Sequence, residues 1–92
     1  MSNPLLTTLQ IIQELGQNGP KPTNILMLIG EISDASVKRY VAEARTMGAD
    51  ITVVSSHEGH RYTLNNWSEV QEKTNQWIEL EISRELRSGV VG

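Results

Sequence analysis

Apolar residues recur at helical spacing from the start of the chain. Leu5, Leu9 and Ile12 stand at i, i+4 and i+7, and Leu6 and Leu15 widen the stripe. The pattern predicts an amphipathic helix beginning at Pro4. Asn3 is placed to cap it, and Pro4 takes the first helical position, where a missing N–H costs nothing. Gly16, Gly19 and Pro20 are expected to stop it. A short second helix is predicted from Pro22 or Thr23 to just before Gly30. Its run Ile25-Leu26-Met27-Leu28-Ile29 is apolar round most of the circumference, the pattern of a helix sandwiched between neighbours. Ser33 is the next N-cap, with Asp34 in the first turn, where the helix dipole favours a carboxylate. Val37, Tyr40, Val41 and Ala44 follow at 3.6-residue spacing, and Gly48 ends this third helix after Met47. Only Gly30-Glu31-Ile32-Ser33 separates the second helix from the third, a helix-turn-helix spacing.

The period then changes from helical to alternating. Ile51-Thr52-Val53-Val54 and Arg61-Tyr62-Thr63-Leu64 are β-branched or aromatic runs, expected as two strands. Ser55-Ser56-His57-Glu58-Gly59-His60 between them is polar and contains glycine, as a hairpin loop does. A fourth helix should begin at Asn66-Trp67-Ser68-Glu69, where Glu69 falls three residues after a capping Asn66. Over 68–87 it carries a stripe of Val70, Thr74, Trp77, Ile78, Ile82 and Leu86. Two fates fit that stripe: a homodimer interface made by these six residues, or a helix folded back onto its own core. Gly89 to Gly92 are expected to fray. The fold class expected is therefore α+β. A three-helix helix-turn-helix core with a two-stranded β-hairpin wing occupies 1–66, and an additional C-terminal α-helix, a possible dimerisation arm, occupies 67–92.

Composition narrows the function. Ninety-two residues allow one domain with at most an appended arm. The chain has no cysteine, so it can form no disulfide framework, no thiolate zinc site and no cysteine nucleophile. The apolar run at 25–29 is far short of the roughly 20 residues that a membrane span needs. Met1-Ser2-Asn3-Pro4 shows no basic stretch and no secretory apolar region, which predicts a cytoplasmic protein. Net charge is −3, against the usual balance of a nucleic-acid binder. The acid is unevenly spread, however. Residues 33–64 balance four cations with four carboxylates, whereas 65–92 hold three cations and five carboxylates. The proposed reading head is neutral, so it should make few phosphate contacts and gain from a second copy.

The stretch from Ser33 through Ile51, followed by Gly59-His60-Arg61-Tyr62-Thr63-Leu64, carries a closer likeness. It resembles the recognition helix and wing of the winged helix at the N-terminus of the biotin-ligase repressor and of the deoxyribonucleoside-type sugar-operon regulators. The shared pattern is a Ser-capped helix, a basic pair at Lys38-Arg39, Arg45 near the helix end, Gly48, a short strand, and a glycine-bearing wing with an aromatic-x-Leu return strand. The likeness spans roughly residues 5–64 and leaves 66–92 unmatched. It implies sequence-specific binding of double-stranded DNA by a small bacterial or phage transcriptional regulator. The recognition helix (33–47) would enter the major groove through Ser33, Asp34, Ala35, Ser36, Lys38 and Arg39. The wing (55–61), with His57, His60 and Arg61, would lie against the adjacent backbone.

The remaining chemistry is thin. His57 and His60 supply at most two metal ligands, where a stable zinc site needs three or four. No nucleophile–base–acid spacing, Walker loop or dinucleotide fingerprint occurs, so neither an enzyme nor a cofactor is expected. No small-molecule substrate is evident either. Trp67 and Trp77 sit in a Glu-rich context that would repel a phosphate chain, which points to packing. Arg45, near a helix C-terminus, serves the dipole as readily as it would serve DNA. Two further uses suit the same pattern: a winged helix acting as a protein-interaction adaptor, and a DNA-architectural accessory factor.

Overall fold

In the computed structural model, residues 3–91 are described, with side chains as far as Arg87. Seven elements follow one another: α1 (Pro4–Asn18), β1 (Lys21–Pro22), α2 (Thr23–Gly30), α3 (Asp34–Thr46), β2 (Ile51–Ser56), β3 (Gly59–Leu64) and α4 (Trp67–Val91). The sheet is antiparallel in the order β1-β3-β2. This is a winged helix with an added C-terminal helix.

α1 starts as its sequence predicts, with Asn3 Oδ1 accepting from the Leu6 N–H at 3.1 Å. Of the three residues expected to stop it, Gly19 does so and Gly16 is passed. The helix runs on to Asn18 and ends at Gly19, whose φ is +84°. Gly16 serves packing instead: a Cβ there would lie 2.1 Å from the Trp67 ring, so the bare backbone is what lets the indole seat on α1. α2 is less enclosed than its composition suggests. Leu26 is fully buried, but Leu28 keeps 73% of its surface exposed, because this short helix is covered on one side only.

The turn between α2 and α3 is a Schellman arrangement. The Ile32 N–H donates to the Met27 carbonyl at 3.0 Å, and the Glu31 N–H donates to the Leu28 carbonyl. Glu31 itself takes the left-handed position, with φ +53°. Gly30, one place earlier, is there for close approach, since a Cβ would meet Thr7 Cγ2 at 3.0 Å.

The wing differs from expectation in two respects. A third strand, β1, joins it, with Lys21 opposite Tyr62 and Pro22 opposite Arg61. Flanking prolines hide it in the sequence, and Pro22 is tolerated because β1 lies at the sheet edge. The hairpin loop is also shorter than 55–60. Ser55 pairs with His60 and Ser56 with Gly59, which leaves a two-residue turn of His57-Glu58. Neither turn residue has positive φ, whereas Gly59 does, at +112°, and so absorbs the twist as the glycine of a bulged type I hairpin does.

One core joins these elements. Ile11, Ile12, Val37, Val41, Ile51 and Tyr62 meet at its centre, and Val70 of α4 belongs to the same cluster, with Trp67 packed against it. Asn66 stands at the head of α4, its carbonyl accepting from the Val70 N–H at 3.3 Å and its Nδ2 donating to Glu69 at 3.2 Å, and its side chain also ties that junction together. Asn66 Oδ1 accepts from the Asp50 N–H at 2.8 Å, and Nδ2 donates to the Gly48 carbonyl at 2.9 Å. α4 runs antiparallel to α1, from Trp67 over Gly16, past a Gln13–Asn75 hydrogen bond of 3.0 Å, to Glu81, which accepts from Asn3 Nδ2 at 3.2 Å. Fraying from Gly89 is not what the backbone does: the helix continues to Val91, and Gly92 lies outside the described residues. The last ten residues of α4 add about 15 Å along the helix axis, with Glu85 still bordering a groove shared with Asn3, Leu6 and Gln10.

Candidate functional site

α3 is fixed by its inner face. Val37, Tyr40, Val41 and Ala44 are buried, so the opposite ridge, Ala35, Lys38, Arg39, Ala42 and Thr46, is turned to solvent. None of these five is acidic. Asp34 faces a groove beside the wing, shared with Thr23, Asn24, Glu58 and His60. Glu43 lies on the other flank, in a groove with Leu5 and Tyr40. Both carboxylates of the helix thus stand to the sides, leaving Lys38 and Arg39 as the charges of the ridge. Ala42 and Thr46 were not singled out in the sequence, although the spacing 35, 39, 42, 46 is helical and could have found them. Small side chains there allow an approaching surface close to the helix backbone.

The first turn is held by hydroxyls. Ser33 Oγ accepts from the Ser36 N–H at 3.2 Å and lies 3.0 Å from Ser36 Oγ. Arg39 Nη2 donates to Ser36 Oγ at 3.5 Å, and its guanidinium rests 5.6 Å from the centroid of the Tyr40 ring. Ser33 and Ser36 therefore shape the helix and steady Arg39.

Alternation along the sheet separates the wing residues. Val53, His60 and Tyr62 face α3 and enclose, with Lys38, Val41 and Arg45, a cleft of about 290 Å³. Lys38 and His60 are thereby brought together. His60 Nδ1 and Ser55 Oγ lie 2.7 Å apart across the hairpin. His57 stands exposed in the turn. Arg61 is not with them. It lies on the opposite face of the hairpin, beside Val54, and its Nη1 donates to the Pro20 carbonyl at 3.3 Å. Arg45 is a tether: Nε and Nη2 both donate to the Ile51 carbonyl, at 3.1 and 2.9 Å, joining the end of α3 to β2.

The six residues of the α4 stripe do not share one surface. Val70, Thr74 and Ile78 are buried at 6%, 3% and 8%, in the chain's own core and against α1. Trp77 is exposed on one flank, and Ile82 and Leu86 are exposed on the other. Among the described residues, no group of three or more His, Cys, Asp or Glu is placed to hold a metal ion, and no helix is long and apolar enough to cross a membrane.

The fold and this exposed helix define a winged helix-turn-helix module. No family model matches the sequence, and no curated protein matches it. Among solved structures, the crystal structure of transcriptional regulator Tm0710 from Thermotoga maritima is similar. Its TM-score is 0.60 at 21% identity over 94% of this chain. The chain spans 61% of that protein's length. The likeness is one of fold.

Proposed function

We propose that this chain binds double-stranded DNA in a sequence-specific manner and acts as a small transcriptional regulator, without enzymatic activity, in the cytoplasm of a bacterium or of a phage-infected cell. The observation that carries the reading is the α3 ridge. It presents two cations, no acid and two alanines, on a helix whose other face is locked in the core. Arg39 suits a bidentate contact to guanine, and the alanine methyls suit thymine. Lys38 and His60, which both line the cleft between helix and wing, suit phosphate. Ser33, Asp34 and Ser36 support the entering turn, and His57 and Arg61 extend the contact along the wing. Kinship with the biotin-ligase repressor's winged helix is part of this reading and rests on residues 33–64. That the similar solved protein is described as a transcriptional regulator supports it coarsely.

A homodimer completes the proposal. The end of α4 carries Ile82 and Leu86, 42% and 66% exposed. Two copies joined there would present two heads, offsetting the few phosphate contacts of each. A protein-interaction adaptor is the second reading, favoured by the net charge of −3.

Titration of labelled duplexes at several salt concentrations tests the assignment. Lys38→Ala is expected to weaken all duplexes alike and to reduce the salt slope by about 1. Arg39→Ala is expected to cost about 1–3 kcal/mol on the best duplex and to relax specificity at one position. Unaltered binding in both variants would reject the α3 ridge as the contact surface.

A further inference from the structure

One flank of α4 has a composition of its own. Lys73, Trp77, Leu80, Arg84 and Arg87 stand at i, i+4, i+7, i+11 and i+14. Alternating steps of four and three keep these residues in one line along a helix, the spacing of a coiled-coil seam. All five are exposed, with Trp77 at 37% and Leu80 at 59%. The seam holds every cation of α4 and, from Lys73 to Arg87, no carboxylate. Glu72 and Glu79 lie farther round on the solvent side, and Glu81 turns inward to Asn3.

The seam is held in place. Lys73 Nζ donates to the Met47 carbonyl at 3.2 Å and lies 5.3 Å from the centroid of the Trp77 ring, which keeps the indole along the flank. Arg84 Nη1 donates to Glu81 at 2.9 Å yet leaves 72% of its side chain exposed. Met47, which Lys73 touches, also lines a groove of about 360 Å³ between α1 and α3, together with Leu5, Tyr40, Arg39 and Glu43. Apolar surface therefore sits at the centre of the flank, with positive charge beyond it along the helix.

A second copy does not suit this surface. Antiparallel pairing about Trp77 and Leu80 would set Lys73 of one copy against Arg84 of the other. Parallel pairing would set each cation against itself, and like charges across a seam reject the pairing. A polynucleotide would match the cations, but it would leave Trp77 and Leu80 without an apolar partner. We propose that this flank of α4 docks an acidic amphipathic helix of another protein, whose apolar residues cover Trp77 and Leu80 and whose carboxylates meet Lys73 and Arg84. The inference stands on α4 side chains and uses none of the contacts proposed for DNA, although Arg39 of the α3 ridge borders the adjoining groove.

The probe is a synthetic fluorescein-labelled helical peptide with leucines at two central seam positions and glutamates at the outer ones. It is titrated with the full chain. One control moves the leucines off the seam at equal charge, and another replaces each glutamate by lysine. The acidic seam peptide is expected to bind at least tenfold tighter than either control. Leu80→Ala is expected to weaken it at least fivefold, with the far-UV circular dichroism unchanged. Lys73→Glu combined with Arg84→Glu should exchange the preference to the lysine peptide, and should the double variant fail to fold, the three peptides on the wild-type chain decide alone. Equal binding of all three peptides would overturn the proposal. So would charge reversal that weakens duplex binding and leaves the peptide untouched, which would assign the flank to DNA. Loss of a wild-type homodimer in Leu80→Arg would assign it to a second copy.

Discussion

Glu31 occupies a backbone position that glycine takes at little steric cost. At φ +53° its Cβ is held in the left-handed region, at a cost of roughly 1–2 kcal/mol for an L-residue, partly offset in any glycine replacement by the added freedom of the unfolded chain. Glu31→Gly is therefore expected to raise stability by about 0.5–1 kcal/mol, read as a higher urea midpoint with an unchanged slope. A lower midpoint would contradict this account of the turn. The neighbouring glycine makes the reverse point: Gly30 is kept for space beside Thr7 rather than for φ. From the sequence, the pair could be read as a turn but not apportioned. A glycine in a short connection signals freedom of φ and close packing equally, and only the contact to Thr7 decides between them. Lys38 and Arg39 were legible because Val37, Tyr40, Val41 and Ala44 fix the helix's orientation, leaving those two nowhere to point but outward.

Elements whose periodicity is strong and whose caps are local came through as read. α3 is the clear case, with the Ser33 side chain accepting from Ser36 as its N-cap residue should. Details decided by distant partners were not legible locally. α1 passes through Gly16 because Trp67, fifty-one positions away, covers that glycine. The α4 stripe divides between core and surface for a geometric reason. Each i+4 step turns the helix by about 40°, so the path from Val70 through Thr74, Ile78 and Ile82 to Leu86 rotates by roughly 160°. What looks like one line in sequence begins in the core and ends in solvent. The α1–α4 contact also reverses a familiar substitution. Gly→Ala inside an exposed helix normally stabilises by about 1 kcal/mol. Gly16→Ala would drive a methyl group to 2.1 Å from the indole, and is expected to destabilise by about 1–3 kcal/mol, with a shift in Trp67 fluorescence. A more stable Gly16→Ala variant would show that Trp67 does not seat on α1 in solution.

At the scale of the whole molecule, the dimensions of 49 × 28 × 21 Å reflect a small body with a projecting helix. α4 roots itself in the core through Trp67 and Val70, packs on α1 as far as Glu81, and carries exposed Ile82 and Leu86 beyond it. If two copies join through that end, sedimentation velocity at micromolar concentration should give twice the monomer mass. Leu86→Arg should return the monomer, and Trp77→Arg should leave the dimer intact. A monomer throughout would confine any second copy to the DNA-bound state. The central claim concerns α3, which presents its basic ridge beside the wing. Selection of bound duplexes from a random oligonucleotide pool tests it most directly, run in parallel with the wild-type chain and with a folded Lys38→Ala/Arg39→Ala double variant. The account predicts one enriched motif for the wild type, containing a guanine contacted by Arg39, and no enrichment for the double variant. An equal motif from both proteins, or none from the wild type, would contradict it.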